Sequence, residues 1–232
     1  MSGIVIAIDG PSGSGKSTIS RRVAARLGLA YLDTGAMYRA ATWWCLDQGV
    51  PLGDEDAVVR TVAEMPLEMV MDPAAPAVRV GSQDVTAAIR STEIATEVSK
   101  VATNIPVRGE LRRRQRDLIR QECDEQGSSQ GRGIVAEGRD ITTVVAPDAD
   151  VRILLTASEE ARLARRAREV HGRDDADSLA ATADQVLRRD RDDSTVSSFH
   201  LASDGVTTVD SSALNLDETM DVVLGLIEAA GR

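Results

Sequence analysis

The 232-residue sequence is short of the residues on which several kinds of chemistry depend. It has two histidines, His171 and His200, far apart and in polar or irregular stretches, so neither a histidine metal pair nor a histidine base is expected. Its two cysteines, Cys45 and Cys123, have no CxxC spacing and fall in stretches that read as helix, which argues against a disulfide or a thiolate metal site. Aromatic residues make up only 2%, and the Trp43–Trp44 pair sits in a helical stretch where packing is the expected role rather than base stacking. No apolar run approaches the roughly 18 residues that span a bilayer, and Met1 to Gly15 lacks the basic start and cleavage region of a signal peptide. A cytoplasmic protein with no membrane partner is expected. Positive charge is also outweighed: 37 acidic against 27 basic residues leave a net charge of −10, which repels a nucleic-acid backbone, so no polynucleotide partner is expected either.

What is present is a core-forming α/β pattern. The chain is 42% hydrophobic, enough for one large domain. Ile4 to Asp9 is a β-branched apolar run that reads as a buried parallel strand. Ile19, Val23, Ala24 and Leu27 then recur at helical spacing before Gly28. Further strands are expected at Leu29–Leu32, Gly133–Glu137, Val151–Thr156 and Val206–Asp210. Ser158 caps a helix that opens on Glu159 and Glu160, and an amphipathic helix closes the chain over Leu216–Ala230. Two segments break the rhythm. Pro66 to Ile89 reads as a small antiparallel meander, with Met65, Met69 and Met71 filling a small core of its own. Residues 168–179, rich in charge around HGRDDADS, have the composition of a mobile loop. Arginines 112–116 lie on a helix whose core contacts are supplied by Leu111, Leu118 and Ile119, so most of that charge reads as a solvated face.

The chemistry begins at Gly10-Pro11-Ser12-Gly13-Ser14-Gly15-Lys16-Ser17, which matches GxxxxGK[ST] between a strand and a helix. Glycines there let backbone N–H groups curl around phosphate oxygens; Lys16 reaches the outer phosphates and the Ser17 hydroxyl is placed for Mg²⁺. ATP is thus expected on residues 10–18, Thr18 included, with Mg²⁺ as its companion. The motif alone does not name an acceptor. A GTPase would carry an NKxD guanine reader, which is missing, and a motor would need more mass, so a small-molecule kinase remains. The other readings are a different P-loop metabolite kinase, or a nucleotide-binding regulator without turnover.

Four further stretches carry a resemblance: IDGPSGSGKST, Leu32-Asp-Thr-Gly-Ala-Met-Tyr-Arg39, the meander's Val80 to Arg90 (VxxGxDVTxxIR), and Glu137-Gly-Arg-Asp140. Together they resemble the bacterial cytidylate kinases, the (d)CMP-specific branch of the nucleoside monophosphate kinases, over essentially the whole chain. The resemblance implies a P-loop NMP-kinase fold: an α/β fold with a central parallel sheet, flanking helices, a small antiparallel NMP-binding insertion and a mobile lid. It implies one domain over 1–232, with core segments 1–64, 91–167 and 180–232, the insertion at about 65–90 and the lid at about 168–179. It implies ATP and CMP or dCMP as substrates of a monomer. Arg39 and Arg139 would clamp the CMP phosphate, while Ser99, Arg108 and Asp140 would recognise cytosine beside Thr34 and Tyr38. A carboxylate with an arginine suits cytosine, whose edge offers an amine donor beside a ring acceptor. Arg189 and Asp193 would contact the nucleotide, Asp193 at the ribose hydroxyls. Arg162, Arg165 and Arg166 would neutralise charge on the transferring phosphoryl group. For the metal, Ser17 is joined by Asp33, ahead of Glu137, although both carboxylates are also placed to cap the turns that follow. One position departs from the family: where it usually has an arginine after the Asp-Ser of RRDRDDS, this chain has Val196, and either Arg188 or Arg191 reaches in instead or CMP binds with one charge contact fewer.

Overall fold

The first strand, β1 (Ile4–Asp9), divides its side chains between two cores. Ile6 and Ile8 pack into one cluster and Ala7 into another on the opposite face, as the two-residue period of a strand requires. Each of the two fully buried isoleucines stabilises the fold by about 1.5–3 kcal/mol. The computed structural model describes residues 3–173 and 175–231. From β1 the chain runs through α1 (Lys16–Leu27), β2 (Ala30–Asp33), α2 (Thr34–Asp47) and α3 (Glu55–Ala63) into the insertion. There β3 (Leu67–Val70), β4 (Ala77–Val80) and β5 (Gln83–Asp84) lead to a 3₁₀ turn at Ala88–Arg90. Next come α4 (Thr92–Ala102), α5 (Ile105–Glu122), β6 (Gly133–Gly138), a π-helical turn at Ile141–Val145 and β7 (Val151–Thr156). The chain closes with α6 (Glu159–His171), α7 (Ala176–Ser194), β8 (Thr207–Asp210) and α8 (Leu216–Ala229).

The larger sheet has the order β2-β6-β1-β7-β8 with parallel pairing throughout. The path leaves β1 toward β2 on one side and later toward β7 and β8 on the other, so the carboxyl ends of β1 and β6 border a topological switch point, where open α/β sheets bind ligands. Register brings the chemistry there: Asp33 is paired with Glu137, and Asp9 with Gly138. The expected strands are all present, that at 29–32 shifted by one residue to Ala30–Asp33 and that at 206–210 starting one residue later, at Thr207–Asp210.

Residues 65–90 form the antiparallel sheet β3-β4-β5. It has no separate core, contrary to the sequence expectation. Met65, Val78, Val80 and Val85 join the cluster of α2, α4 and α5, while Met71 packs with the main sheet and its carbonyl accepts the Tyr31 N–H at 2.8 Å. The polar stretch 168–179 also differs from expectation. Its ends are the last turn of α6 and the first of α7, joined by a short link containing Gly172 in the left-handed region and Asp175, which caps α7 by accepting from Ser178 N at 3.0 Å. Asp174 and the side chain of His171 lie outside the described residues. Cys45 and Cys123 are free thiols, and Trp43 and Trp44 pack against the α2 cluster. Among the described residues no helix is long and apolar enough to cross a membrane.

Candidate active site

A cleft of about 470 Å³ opens at the switch point. One wall is the loop from Gly10 to α1. Gly13 and Gly15 both have positive φ, 76° and 88°, and a Cβ on Gly13 would lie 2.6 Å from the Arg162 carbonyl, so α6 packs directly on the loop. Ser12, Gly13, Gly15, Lys16, Ser17 and Thr18 line the cleft; Gly10, Pro11 and Ser14 do not. Lys16 Nζ donates to the Pro11 carbonyl at 3.2 Å. Burial lowers the proton affinity of Lys16, and the Glu137 carboxylate offsets part of that loss. This cation is poorly compensated, which suits it to an outer phosphate.

Beside Lys16 the neighbouring strand ends present two carboxylates. Asp33 caps α2 by accepting from Ala36 N at 2.8 Å and pairs with Arg39 at 2.8 Å. Burial alone would raise its pKa, but the Arg39 guanidinium, the Ala36 N–H and Arg90 hold it below the usual carboxylate range. Glu137 is pushed up by burial and then by Asp33, while Lys16, Ser17 and the Tyr31 hydroxyl favour its ionised form; Tyr31 donates at 2.9 Å. The fit to Mg²⁺ follows from this donor set. Two mutually repelling carboxylates and a hydroxyl lie beside a phosphate cradle, as expected of an ion held by few protein groups and by substrate oxygens. Among the described residues no cluster of three acidic, histidine or cysteine side chains forms a protein-only cage.

The opposite wall is built from ion pairs. Arg139 donates to Asp190 at 2.7 Å and pairs with Asp193 at 3.0 Å, its guanidinium 4.2 Å above the Phe199 ring. Arg189 is brought down to about 10 by burial and then by neighbouring Arg139. Arg108 and Arg112 both donate to Asp140, and Arg108 also reaches Ser197 Oγ and the Ala102 carbonyl. The Tyr38 hydroxyl is buried beside the Gln115 side chain; burial pushes its pKa up to about 12, and the Arg108 guanidinium stands 5.6 Å from its ring. Arg39, Arg90 and Arg166 complete the basic lining.

Most expected acceptor residues line the cleft: Thr34, Tyr38, Arg39, Arg108, Arg139, Asp140, Arg189 and Asp193. Ser99 does not; it lies on α4 between Ala95 and Ala102, which do. Of the three donor arginines only Arg166 lines the cleft. Arg162 donates to the Ser12 carbonyl at 2.9 Å and to Asp190, while Arg165 donates to Ser14 O at 3.2 Å and to Ser211 Oγ and O at 2.9 and 2.6 Å. Arg188 and Arg191 are exposed and do not line the cleft.

One functional residue was missed. Asp190, 5% exposed, accepts from Ser12 N at 3.1 Å as well as from Arg139 and Arg162, and so ties the P-loop, the acceptor wall and α6 together. Its i, i+3 spacing from Asp193 in RRDRDDS was the available signal. The arginines of α5 are a partial correction: Arg112 binds Asp140, and Arg114 donates to the carbonyls of Met65, Val62 and Ala63, leaving Arg113 and Arg116 on the exposed face.

Comparison with known proteins agrees with this geometry. The cytidylate kinase family model matches residues 6–229. The chain is 43% identical over 228 residues to the cytidylate kinase of Streptomyces griseus, covering 98% of this chain and 94% of the other. It is 46% identical over 225 residues to that of Cutibacterium acnes, covering 97% and 96%. An uncharacterized protein from Eubacterium ventriosum shares the fold at a TM-score of 0.50 and 14% identity, over 97% of this chain and 99% of that one. With the family model spanning nearly every residue and such relatives aligned end to end, this chain belongs to the cytidylate kinase family.

Proposed function

We propose that this protein transfers the γ-phosphate of ATP to CMP or dCMP, giving ADP and CDP or dCDP. The observation that carries the reading is one cleft with two unlike walls: a phosphate cradle around Lys16, and a basic wall that ends in the Arg108–Asp140 pair. Phosphoryl transfer needs alignment and charge stabilisation more than covalent help, and the acceptor phosphate oxygen is already anionic, so no general base is required.

In this reading residues 10–18 hold the ATP phosphates, Lys16 and Arg166 neutralise charge on the moving phosphoryl group, and Arg162 and Arg165 brace the loop that carries it. Arg39, Arg139 and Arg189 hold the acceptor phosphate. Asp193 takes the sugar, and Ser99, Arg108 and Asp140 read the base beside Thr34 and Tyr38. Ser17 and Asp33, with Glu137 behind, would hold Mg²⁺, which when bound supplies positive charge to the donor phosphates. The insertion at 65–90 belongs to the acceptor side, and residues 168–179, the facing ends of α6 and α7 with their short link, to a lid over the donor. The enzyme acts as a cytoplasmic monomer.

The test is ADP release with CMP, dCMP, UMP, AMP, GMP and shikimate offered in turn. CMP and dCMP are expected to turn over fastest; equal or greater turnover of a purine monophosphate contradicts the reading.

A further inference from the structure

We propose that Arg112 is a specificity-determining residue, holding the Asp140 carboxylate so that one oxygen faces the acceptor base and selects an amine-bearing edge over a carbonyl-bearing one. The inference rests on the reading of Asp140 as the base-facing group.

Among the described hydrogen bonds, every one to the Asp140 side chain ends on the same oxygen. Arg108 Nη2 donates to Oδ2 at 2.5 Å, and Arg112 donates to it twice, from Nε at 2.9 Å and Nη2 at 2.5 Å. Oδ1 receives none of them, and Asp140 lines the cleft. The side chain is 6% exposed, so its orientation is set by these partners rather than by water. Arg108 supplies Asp140 with a single donor, since its Nη2 turns one N–H to Oδ2 and the other to Ser197 Oγ at 2.5 Å. Arg112 adds two donors from a rigid planar group to the same oxygen, which pins Oδ2 against α5 and leaves Oδ1 as the oxygen turned to the base.

Helical spacing explains the pairing: Arg108 and Arg112 are i and i+4 on α5 and share a face, while Arg113 turns outward to Glu110 and Asp117. Arg112 does not line the cleft, so it acts through Asp140 and is a positioning residue. An ionised carboxylate can only accept hydrogen bonds. An oxygen fixed toward the base therefore accepts from the exocyclic amine of cytosine and repels the carbonyl that uracil has at that position.

The experiment measures kcat/KM for CMP and for UMP, at saturating ATP, in the wild type, Arg112→Leu and Arg112→Gln, with thermal unfolding as a check of fold. The expected result is a loss of about tenfold in the CMP/UMP preference in both variants, with KM for ATP unchanged, as for the loss of a charge-assisted contact. A merely structural arginine would lower both substrates together and leave their ratio alone. An unchanged ratio in any variant that folds overturns the proposal. A wild type that does not prefer CMP to UMP overturns the reading of Asp140 itself, and this inference with it.

Discussion

The two walls of the cleft are held by different forces. The donor wall is mostly backbone: residues 10–18, whose shape comes from glycine conformations and from the N-terminal end of α1. The acceptor wall is mostly side chains, gathered from α2, α5, the β6 end and α7 and locked by Arg39–Asp33, Arg139–Asp190–Asp193 and Arg108–Asp140–Arg112. A backbone cradle offers dipoles that stay in place whatever occupies it. An ion-pair wall is selective because each charge is buried and must keep a partner, and removing one partner of such a pair costs about 3–5 kcal/mol. The donor half is therefore general to phosphates, and the acceptor half is where identity is written.

Substitutions can break this contrast. The largest effect is expected at Lys16→Ala, a loss on the order of 10³-fold in kcat with little change in melting temperature, read by ADP release and calorimetry, because the residue supplies charge and no packing. Asp140→Ala should lower kcat/KM for CMP by about 10²-fold while leaving the KM for ATP alone, and should also lower stability, since Arg108 loses its buried partner. Equal loss toward both substrates would remove the distinction between the walls.

Asp9 joins the two. It is buried at the end of β1 and accepts from Ile141 N, Thr142 N and Thr142 Oγ1, anchoring the turn that follows Asp140. Burial, against those hydrogen bonds, pushes its pKa from 3.8 up to about 6. A carboxyl raised in the folded state binds its proton more tightly there than in the unfolded chain, so its contribution to stability falls as pH rises from about 4 to about 6. At about 1.4 kcal/mol per pKa unit this is about 3 kcal/mol. Urea unfolding at pH 4 and pH 7 should find Asp9→Asn gaining on the wild type by up to that amount at the higher pH; a constant difference would contradict it. The smallest effect is expected at Val196→Arg, which restores the family arginine and should tighten CMP by about tenfold without altering ATP binding, as one added charge-assisted contact would.

The contrast between the walls also explains what could be read in advance. The P-loop was legible because its geometry is local and its residues contiguous, and the strands were legible from β-branched runs with a single buried register. Asp190 was not, because its partners Arg162, Arg139 and Ser12 lie 28, 51 and 178 residues away. Nor could spacing say which of the arginines 112–114 would meet Asp140, since that depends on how α5 rotates against the end of β6. Residues 168–179 read as a loop because polar composition is shared by loops and exposed helix ends, and here Gly172 and Asp175 leave only a short break between helices. The missing core of the insertion was hidden for a related reason: apolar alternation marks a buried face without saying which neighbour covers it.

The most direct test of an acceptor wall built for cytosine monophosphate is ligand protection. A ligand bound only by the folded state raises the melting temperature in proportion to the logarithm of its saturation. At equal concentrations CMP and dCMP are predicted to raise the melting temperature more than UMP, AMP or GMP do, and Asp140→Ala to abolish that advantage while ATP protection persists. A purine monophosphate that protects as well as CMP, or a CMP advantage that survives Asp140→Ala, would contradict the account.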